Sequence, residues 1–413
     1  MIPPPPGSTA DAEQLAARAR HVLPGGATHV ARSYAPAIYV TRTQGSRKWL
    51  IDGRELIDYT MGHGALLLGH AHPAVVSAVQ TQVTRGTHYG AASPLEVEWA
   101  ELISSLVASV EEVRFTASGT EAAMLALRVC RAATGRDLVV KFHEHFHGWY
   151  DAVNVDVDGS GHVGAPGVPA SIAGDTRVVH PEARAELRAA LQDRRVAAVI
   201  LEPSGAHYGR IPLDPAVVRD ARHACDDTGT LLVVDEVVTG FRVAPGGMQS
   251  LIGVRPDLSI FGKVMAGGLP GGAVGGRREL MELLAGPIAH PGTFNANPLT
   301  AAAGIATLTL VADGTQQRAA DGYARTLEEE WRAAIASSGV AGRVWRLSSI
   351  IHVALDDPAL QERLAGALRE EGVDLLHTSA FCSTAHSLSD LEQSVAAFAR
   401  ALGRLAVTGR ASA

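Results

Sequence analysis

The stretch Thr230–Phe241, TLLVVDEVVTGF, runs an unbroken apolar segment, Leu231 to Val234, into two adjacent carboxylates, Asp235 and Glu236. A run of this length and β-branched content predicts a strand covered on both faces, the kind found in parallel or mixed sheets between helical layers. The same signal recurs in DLVVKF (Asp137–Phe142), VAAVILEP (Val196–Pro203) and LSIFG (Leu258–Gly262), and more weakly in EEVRFTA (Glu111–Ala117). Between these runs lie helical patterns such as TEAAMLALRVCRAATG (Thr120–Gly135) and PAVVRDARHACDDTG (Pro215–Gly229). Each closes on a glycine suited to a left-handed helix end. Alternation of this kind predicts a three-layer α/β domain.

Outward from that centre the pattern changes. The expected division is an N-terminal segment over 1–61, a large α/β domain over 62–298 and a smaller α+β domain over 299–413. The N-terminal segment holds a helix near Ala10–Leu23 and a hairpin within Ala37–Gly53, AIYVTRTQGSRKWLIDG, turning at Gly45-Ser46. The tail reads as one long helical segment from Leu299 to Ser338, the β-prone run RLSSIIHVAL (Arg346–Leu355), another helix, and a final helix near Leu388–Leu405. The hairpin is placed to complete the smaller domain.

Composition removes several classes of function. The chain has 413 residues and a net charge of −7, with no basic tract. That argues against a general nucleic-acid binder. No apolar run approaches the roughly 20 residues of a membrane helix, and the start, MIPPPPGSTADAEQ, lacks the charged and apolar regions of a secretory leader. The three cysteines, Cys130, Cys225 and Cys382, are far apart and suggest buried thiols in a reducing cytoplasm. There are also only three lysines, Lys48, Lys141 and Lys263; arginine carries the rest of the positive charge.

Ligands gather where strands of such a sheet end, and four of those ends carry unusual residues. Ser118-Gly119-Thr120 precede a helix, whose free N–H groups and dipole favour an anion such as phosphate; a simple helix cap explains the same residues. Asp235 ends its strand where an unpaired carboxylate is costly, so it meets either a cationic ring nitrogen of a cofactor or an arginine or cap. Lys263, in FGKVMAGGLPGG (Phe261–Gly272), has apolar and glycine neighbours that fit a desolvated amine of lowered pKa, a nucleophile or Schiff-base former; a solvated surface lysine is the alternative. In KFHEHFHGWYD (Lys141–Asp151), His143, His145 and His147 alternate. An extended chain would point them to one side as metal ligands for a hydrolase, whereas the aromatic Phe146 and the glycine after His147 fit stacking over a planar cofactor. A phosphate site, a ring-nitrogen carboxylate and a buried lysine in this order share one explanation, pyridoxal 5′-phosphate.

At this point the chain resembles the class III pyridoxal-phosphate aminotransferases of fold type I, within the glutamate-1-semialdehyde aminomutase-like group. The resemblance runs from HVLPGGATHVARSY (His21–Tyr34) to the final helix. Its motifs include GHGALLLGHAHP (Gly62–Pro73), FHGWYD (Phe146–Asp151), LEPSGAHYG (Leu201–Gly209), VVDEVVTGFRVAPGGMQ (Val233–Gln249), KVMAGGLPGGAVGGR (Lys263–Arg277) and GTFNANPLTAAAG (Gly292–Gly304). It implies that Lys263 joins the cofactor aldehyde covalently and that Asp235 binds its ring nitrogen. Val237 and Phe146 would cover the two ring faces, and Ser118, Gly119 and Thr120 would hold the phosphate, with His147 and Glu202 also in the cofactor site. Thr293 would complete the phosphate site of the second subunit in a homodimer whose active sites are shared across the interface. Arg32 matches the position that holds the substrate carboxylate, and His63, His207 and Tyr208 are substrate-side candidates, with Tyr89 a possible contributor to an aromatic pocket.

The chain departs from the aminomutases at Phe146, where they carry tyrosine, at His63, where they carry tryptophan, and at His207, where they carry asparagine. Its stretch Gly372–Ser387 is shorter than their loop and has no acidic residue beyond Asp374 near its start. These departures, with GHGALLLGH, HGWYD, GAHYG and GMQ, resemble the D-phenylglycine aminotransferase branch. The expected activity is therefore ping-pong transfer of an amino group between an amino acid, an aryl-glycine or related aromatic, and a keto acid. An aminomutase or a β-amino acid transaminase is the alternative.

Overall fold

The computed structural model forms two compact units, Pro73–Gln317 and Met1–His72 with Arg318–Ala413. It describes residues 9–29, 32, 34–160 and 164–411; the proline-rich start lies outside the described residues.

The larger unit is built on a seven-stranded sheet in the order Glu112–Thr116, Gly272–Gly276, Leu258–Gly262, Leu231–Asp235, Val196–Leu201, Leu138–Phe142, Thr176–Val179. Leu258–Gly262 through Thr176–Val179 run parallel, while Gly272–Gly276 is antiparallel to both its neighbours. The apolar runs are buried on both faces because successive side chains enter different layers. Ala198, Ile200 and Val233 pack with the helix Gly119–Thr134. Val199, Leu201, Leu232 and Val234 pack instead with the helices Arg184–Leu191 and Pro215–Thr228. The helices Gly119–Thr134 and Pro215–Thr228 end on Gly135 and Gly229 in the left-handed conformation, as their sequences require.

Two strands were not foreseen, the edge strand Thr176–Val179 and the glycine-rich Gly272–Gly276. The expected helix over Leu299–Ser338 is two helices, Pro298–Val311 and Thr315–Ser338. They are separated at Gly314, whose φ is 75°. The unit boundaries fall at 72/73 and 317/318 rather than at 61/62 and 298/299. The reason is packing: the helix Pro298–Val311 lies on Pro73–Val83, on Pro94–Leu106 and on the turn Lys263–Ala266, all of the larger unit. Its Gly304 allows this, since a Cβ there would sit 2.5 Å from the Trp99 indole.

In the smaller unit the N-terminal strands and the tail form shared structure. Val40–Gln44, Arg47–Leu50 and Glu55–Asp58 make an antiparallel meander, and Val373–Asp374 adds in parallel to the last of them. A second sheet pairs Gly342–Leu347, Ile350–Leu355 and Ser379–Phe381. Ile57, Tyr59, Leu327, Trp331 and Phe398 share the core, with Trp331 stacked on Phe398 at 4.7 Å. Lys48 is buried here beside two carboxylates, 3.0 Å from Asp58 and bonded to Asp374, which also accepts from Arg369 at 2.8 Å. Burial alone would raise the Asp58 carboxyl. The hydrogen bond from His70, the Lys48 charge and Thr60 more than offset it, leaving Asp58 well below the usual carboxylate range.

Removing one member of such a cluster strands the others. Lys48→Met is expected to cost about 3–5 kcal/mol at pH 7 by urea unfolding. Because folding depresses the Asp58 pKa, the stability it contributes with Lys48 is present above about pH 4 and fades in acid. The gap between variant and wild type should therefore narrow below about pH 4.

Candidate active site

The strand Leu231–Asp235 delivers Asp235 to its C-terminal end, where the side chain is buried. Oδ1 accepts the Val237 N–H at 3.0 Å, and Oδ2 lies 2.7 Å from Nδ1 of His147. No arginine pairs with it among the described residues. Burial pushes the Asp235 carboxyl up to about 7, against the pull of the Val237 N–H and the Lys263 charge. Burial and the nearby Lys141 charge hold His147 well below the usual histidine range, so the ring is neutral. A neutral ring bonded to a carboxylate carries its proton on Nδ1. Its Nε2 is then a lone pair, buried and without a hydrogen-bond partner. An orphaned buried acceptor behind a strand-end carboxylate marks a built polar site.

Lys263 opens the turn that follows the strand Leu258–Gly262, with a left-handed φ of 51°. The residue is partly buried, and desolvation lowers its pKa despite the charges of Asp235 and Glu202. It is not a solvated surface lysine.

Ser118 caps the helix Gly119–Thr134, its Oγ accepting from the Glu121 N–H at 3.2 Å. The hydroxyl proton stays available, and the N–H groups of Gly119 and Thr120 belong to the first turn, which has no intrahelical acceptors. The cap and anion-site readings are therefore compatible. Glycine is required at Gly119 because a Cβ would lie 2.9 Å from Val237 Cγ2, and at Gly148 because one would lie 2.5 Å from Thr120 Oγ1. These close approaches bring the helix start, Val237 and the Phe146–Gly148 loop together. Phe146 is 48% exposed.

Glu202 is buried at the end of the strand Val196–Leu201. Its carboxylate accepts the N–H groups of Phe146 at 2.8 Å, Tyr208 at 2.9 Å and His207 at 3.2 Å. Burial and the Asp235 charge push its carboxyl up to about 7, which those three bonds oppose.

The three alternating histidines do not converge. Glu144 takes a left-handed φ of 60° and breaks the extended geometry. His143 turns to Asp156 at 2.5 Å, His145 accepts the Glu202 N–H at 2.9 Å, and His147 meets Asp235. No group of three or more metal-binding side chains occurs among the described residues, which corrects the metal-hydrolase alternative. All three cysteines are buried free thiols. No helix is long and apolar enough to cross a membrane among the described residues.

Thr293 lies in an exposed loop of the larger unit, its carbonyl accepting from His88 Nε2 at 2.5 Å. Tyr89 is bonded by Gln82 Nε2 at 2.7 Å. Arg32 and His63 belong to the smaller unit. There Arg32 is exposed and weakly bonded to Thr28 at 3.4 Å, and His63 packs edge-on against His29 at 5.4 Å.

Sequence reasoning missed two buried charges near these elements. Glu236 accepts the N–H groups of Gln249 at 2.8 Å and Met248 at 3.1 Å. Lys141 donates to the Val155 carbonyl at 2.5 Å, and burial lowers its pKa to about 8. Polar residues inside apolar strands, VVKF and VVDE, were the available signal.

The sequence profile described as aminotransferase class-III matches residues 29–402. Glutamate-1-semialdehyde 2,1-aminomutase of Chloroflexus aurantiacus is 40% identical over 92% of this chain and 94% of its own length. A solved transaminase with PLP bound has a TM-score of 0.92 and 33% identity over 97% of this chain and 99% of its own. An omega-transaminase from Sphaerobacter thermophilus has a TM-score of 0.90 and 32% identity over 97% and 98%.

The raised Asp235 carboxyl predicts opposite effects on stability and function. Its folded pKa of about 7 exceeds the unfolded value near 4, so the cofactor-free protein loses stability as pH rises through that window. Asp235→Asn removes the loss. The cofactor-free variant should be more stable above pH 7, by up to roughly 4 kcal/mol, and equal to wild type near pH 4. Thermal unfolding at the two pH values checks this; a variant destabilised at pH 8 contradicts it.

Proposed function

We infer that this chain, which belongs to the class-III aminotransferase family, is a pyridoxal-phosphate-dependent aminotransferase that moves an amino group between an amino acid and a keto acid in two half-reactions. The observation that carries the reading is the buried strand-end Asp235, backed by a neutral His147 and acting electrostatically on Lys263. Bound pyridoxal phosphate supplies an aldehyde that takes up the amino group and a cationic ring that draws electrons from the substrate.

The chain's residues make that chemistry possible. Asp235 stays ionised against the ring nitrogen, because an opposite charge there reverses the upward push of burial. His147 Nδ1–H and the Val237 N–H each fix one carboxylate oxygen, which would orient the group toward the ring nitrogen. The Ser118 hydroxyl and the N–H groups of Gly119 and Thr120 hold the phosphate. Val237 and Phe146 close on the two ring faces. Lys263 would carry the cofactor, and its Nζ would be the base that takes the proton from the substrate Cα, a task that its lowered pKa favours.

Toward the substrate, Arg32 of the smaller unit offers a guanidinium suited to a carboxylate, and His63 of the smaller unit and His207 and Tyr208 of the larger are further substrate-side candidates. Thr293 completes the phosphate site of the second subunit in a homodimer. What supports this is its exposed loop, where the neighbouring Phe294 is 63% exposed. Three free buried thiols support a cytoplasmic location.

A second reading, 2,1-aminomutase, is favoured by the 40% identity to that enzyme of C. aurantiacus. Phe146, His63, His207 and the short stretch Gly372–Ser387 favour the transaminase, with an aryl-glycine or related aromatic amino acid as donor. The experiment is a donor panel of D- and L-aryl-glycines, β-amino acids and glutamate-1-semialdehyde, each with and without 2-oxoglutarate. The expected result is a visible absorbance change with a donor alone, and sustained keto acid release only with the acceptor. Sustained conversion of the semialdehyde without acceptor, with no keto acid released, would assign the aminomutase.

A further inference from the structure

We propose that Glu202 is a positioning residue that sets two walls of the site with one carboxylate, tying the backbone of Phe146 to the turn that carries His207 and Tyr208. The inference rests on the reading above, in which Phe146 covers the cofactor and His207 and Tyr208 face the substrate.

The geometry is specific. Oε1 accepts from Phe146 and His207, and Oε2 accepts from Tyr208. The Glu202 main chain adds its own N–H to His145 Nδ1 at 2.9 Å, so the residue grips the Phe146 segment from both its side chain and its backbone. His207 and Tyr208 are consecutive non-glycine residues in the left-handed region, with φ of 51° and 54°. That conformation is disfavoured for residues that carry a Cβ and persists where the surroundings over-determine it. Two N–H groups converging on one buried carboxyl group supply that constraint.

The turn is also closed from behind. A Cβ on Gly205 would lie 2.1 Å from the Ile211 carbonyl oxygen, so the segment has no room to relax in that direction. A shift of either wall therefore pulls on the other through the carboxylate. The ring-covering residue and the substrate-side residues come from distant parts of the chain, and the Glu202 carboxylate bonds to both.

The test uses Glu202→Gln, whose amide offers one acceptor oxygen where the carboxylate offers two and turns N–H donors toward the third N–H. Residue-resolved amide hydrogen exchange on the purified protein is the first readout. The amides of Phe146, His207 and Tyr208 should exchange about tenfold faster in the variant, with Val233 and Ile260 in the sheet unchanged. Steady-state kinetics is the second: donor KM should rise about tenfold while kcat falls less than about threefold. Unchanged exchange at the three amides overturns the proposal, and so does faster exchange with unchanged KM. Should Glu202→Gln not fold, the wild-type amides of Phe146 and Tyr208 must still open together, and independent opening overturns the proposal. The exchange readout does not depend on bound cofactor, so a protein that binds none sinks the functional reading while still testing the latch.

Discussion

A carboxylate at the end of a buried strand can stay charged only if its surroundings are arranged for it. Asp235 has a backbone N–H on one oxygen and a neutral imidazole on the other, and burial still pushes its carboxyl up to about 7. An opposite charge beside it would reverse that push. The elements around it approach closely: Gly119 and Gly262 admit Val237, Gly148 admits Thr120, and Gly272 lets its strand pass close to the Ser118 carbonyl. Larger residues at these positions would collide with those neighbours.

The sheet centre was legible because the strands covered on both faces are apolar runs with few other interpretations. Gly272–Gly276 escaped notice because its sequence, GAVGG, has low strand propensity. Its glycines answer to neighbours: a Cβ on Gly272 would meet Ser118 O at 2.3 Å and one on Gly275 would meet Val110 Cγ1 at 2.7 Å. Such demands come from distant parts of the chain and leave no local periodicity. The same is true of the unit boundary, which depends on where the helix Pro298–Val311 packs.

Asp235, Lys263 and Ser118–Thr120 stand out in the sequence because each lies at a strand end with a residue type that is costly or unusual there. The alternating histidines misled because alternation implies a common direction only in an extended chain, and Glu144 is left-handed. The lysine argument gained from the structure. Lys48 and Lys141 are buried, and each is committed to partners, Lys48 to Asp58 and Asp374 and Lys141 to a backbone carbonyl. Specificity was the least legible level. It depends on which side chains converge on a substrate, and positions such as His63, His207 and Phe146 carry that information only through the chemistry each would present.

Because the chain has only three lysines, the attachment of the cofactor can be assigned without ambiguity. Borohydride reduction of the pyridoxal-phosphate-loaded protein, followed by proteolysis and mass analysis, should place one covalently bound cofactor on the peptide containing Lys263 and none on those containing Lys48 or Lys141. A label on either of the other lysines, or no label on a protein that visibly binds the cofactor, would contradict the account.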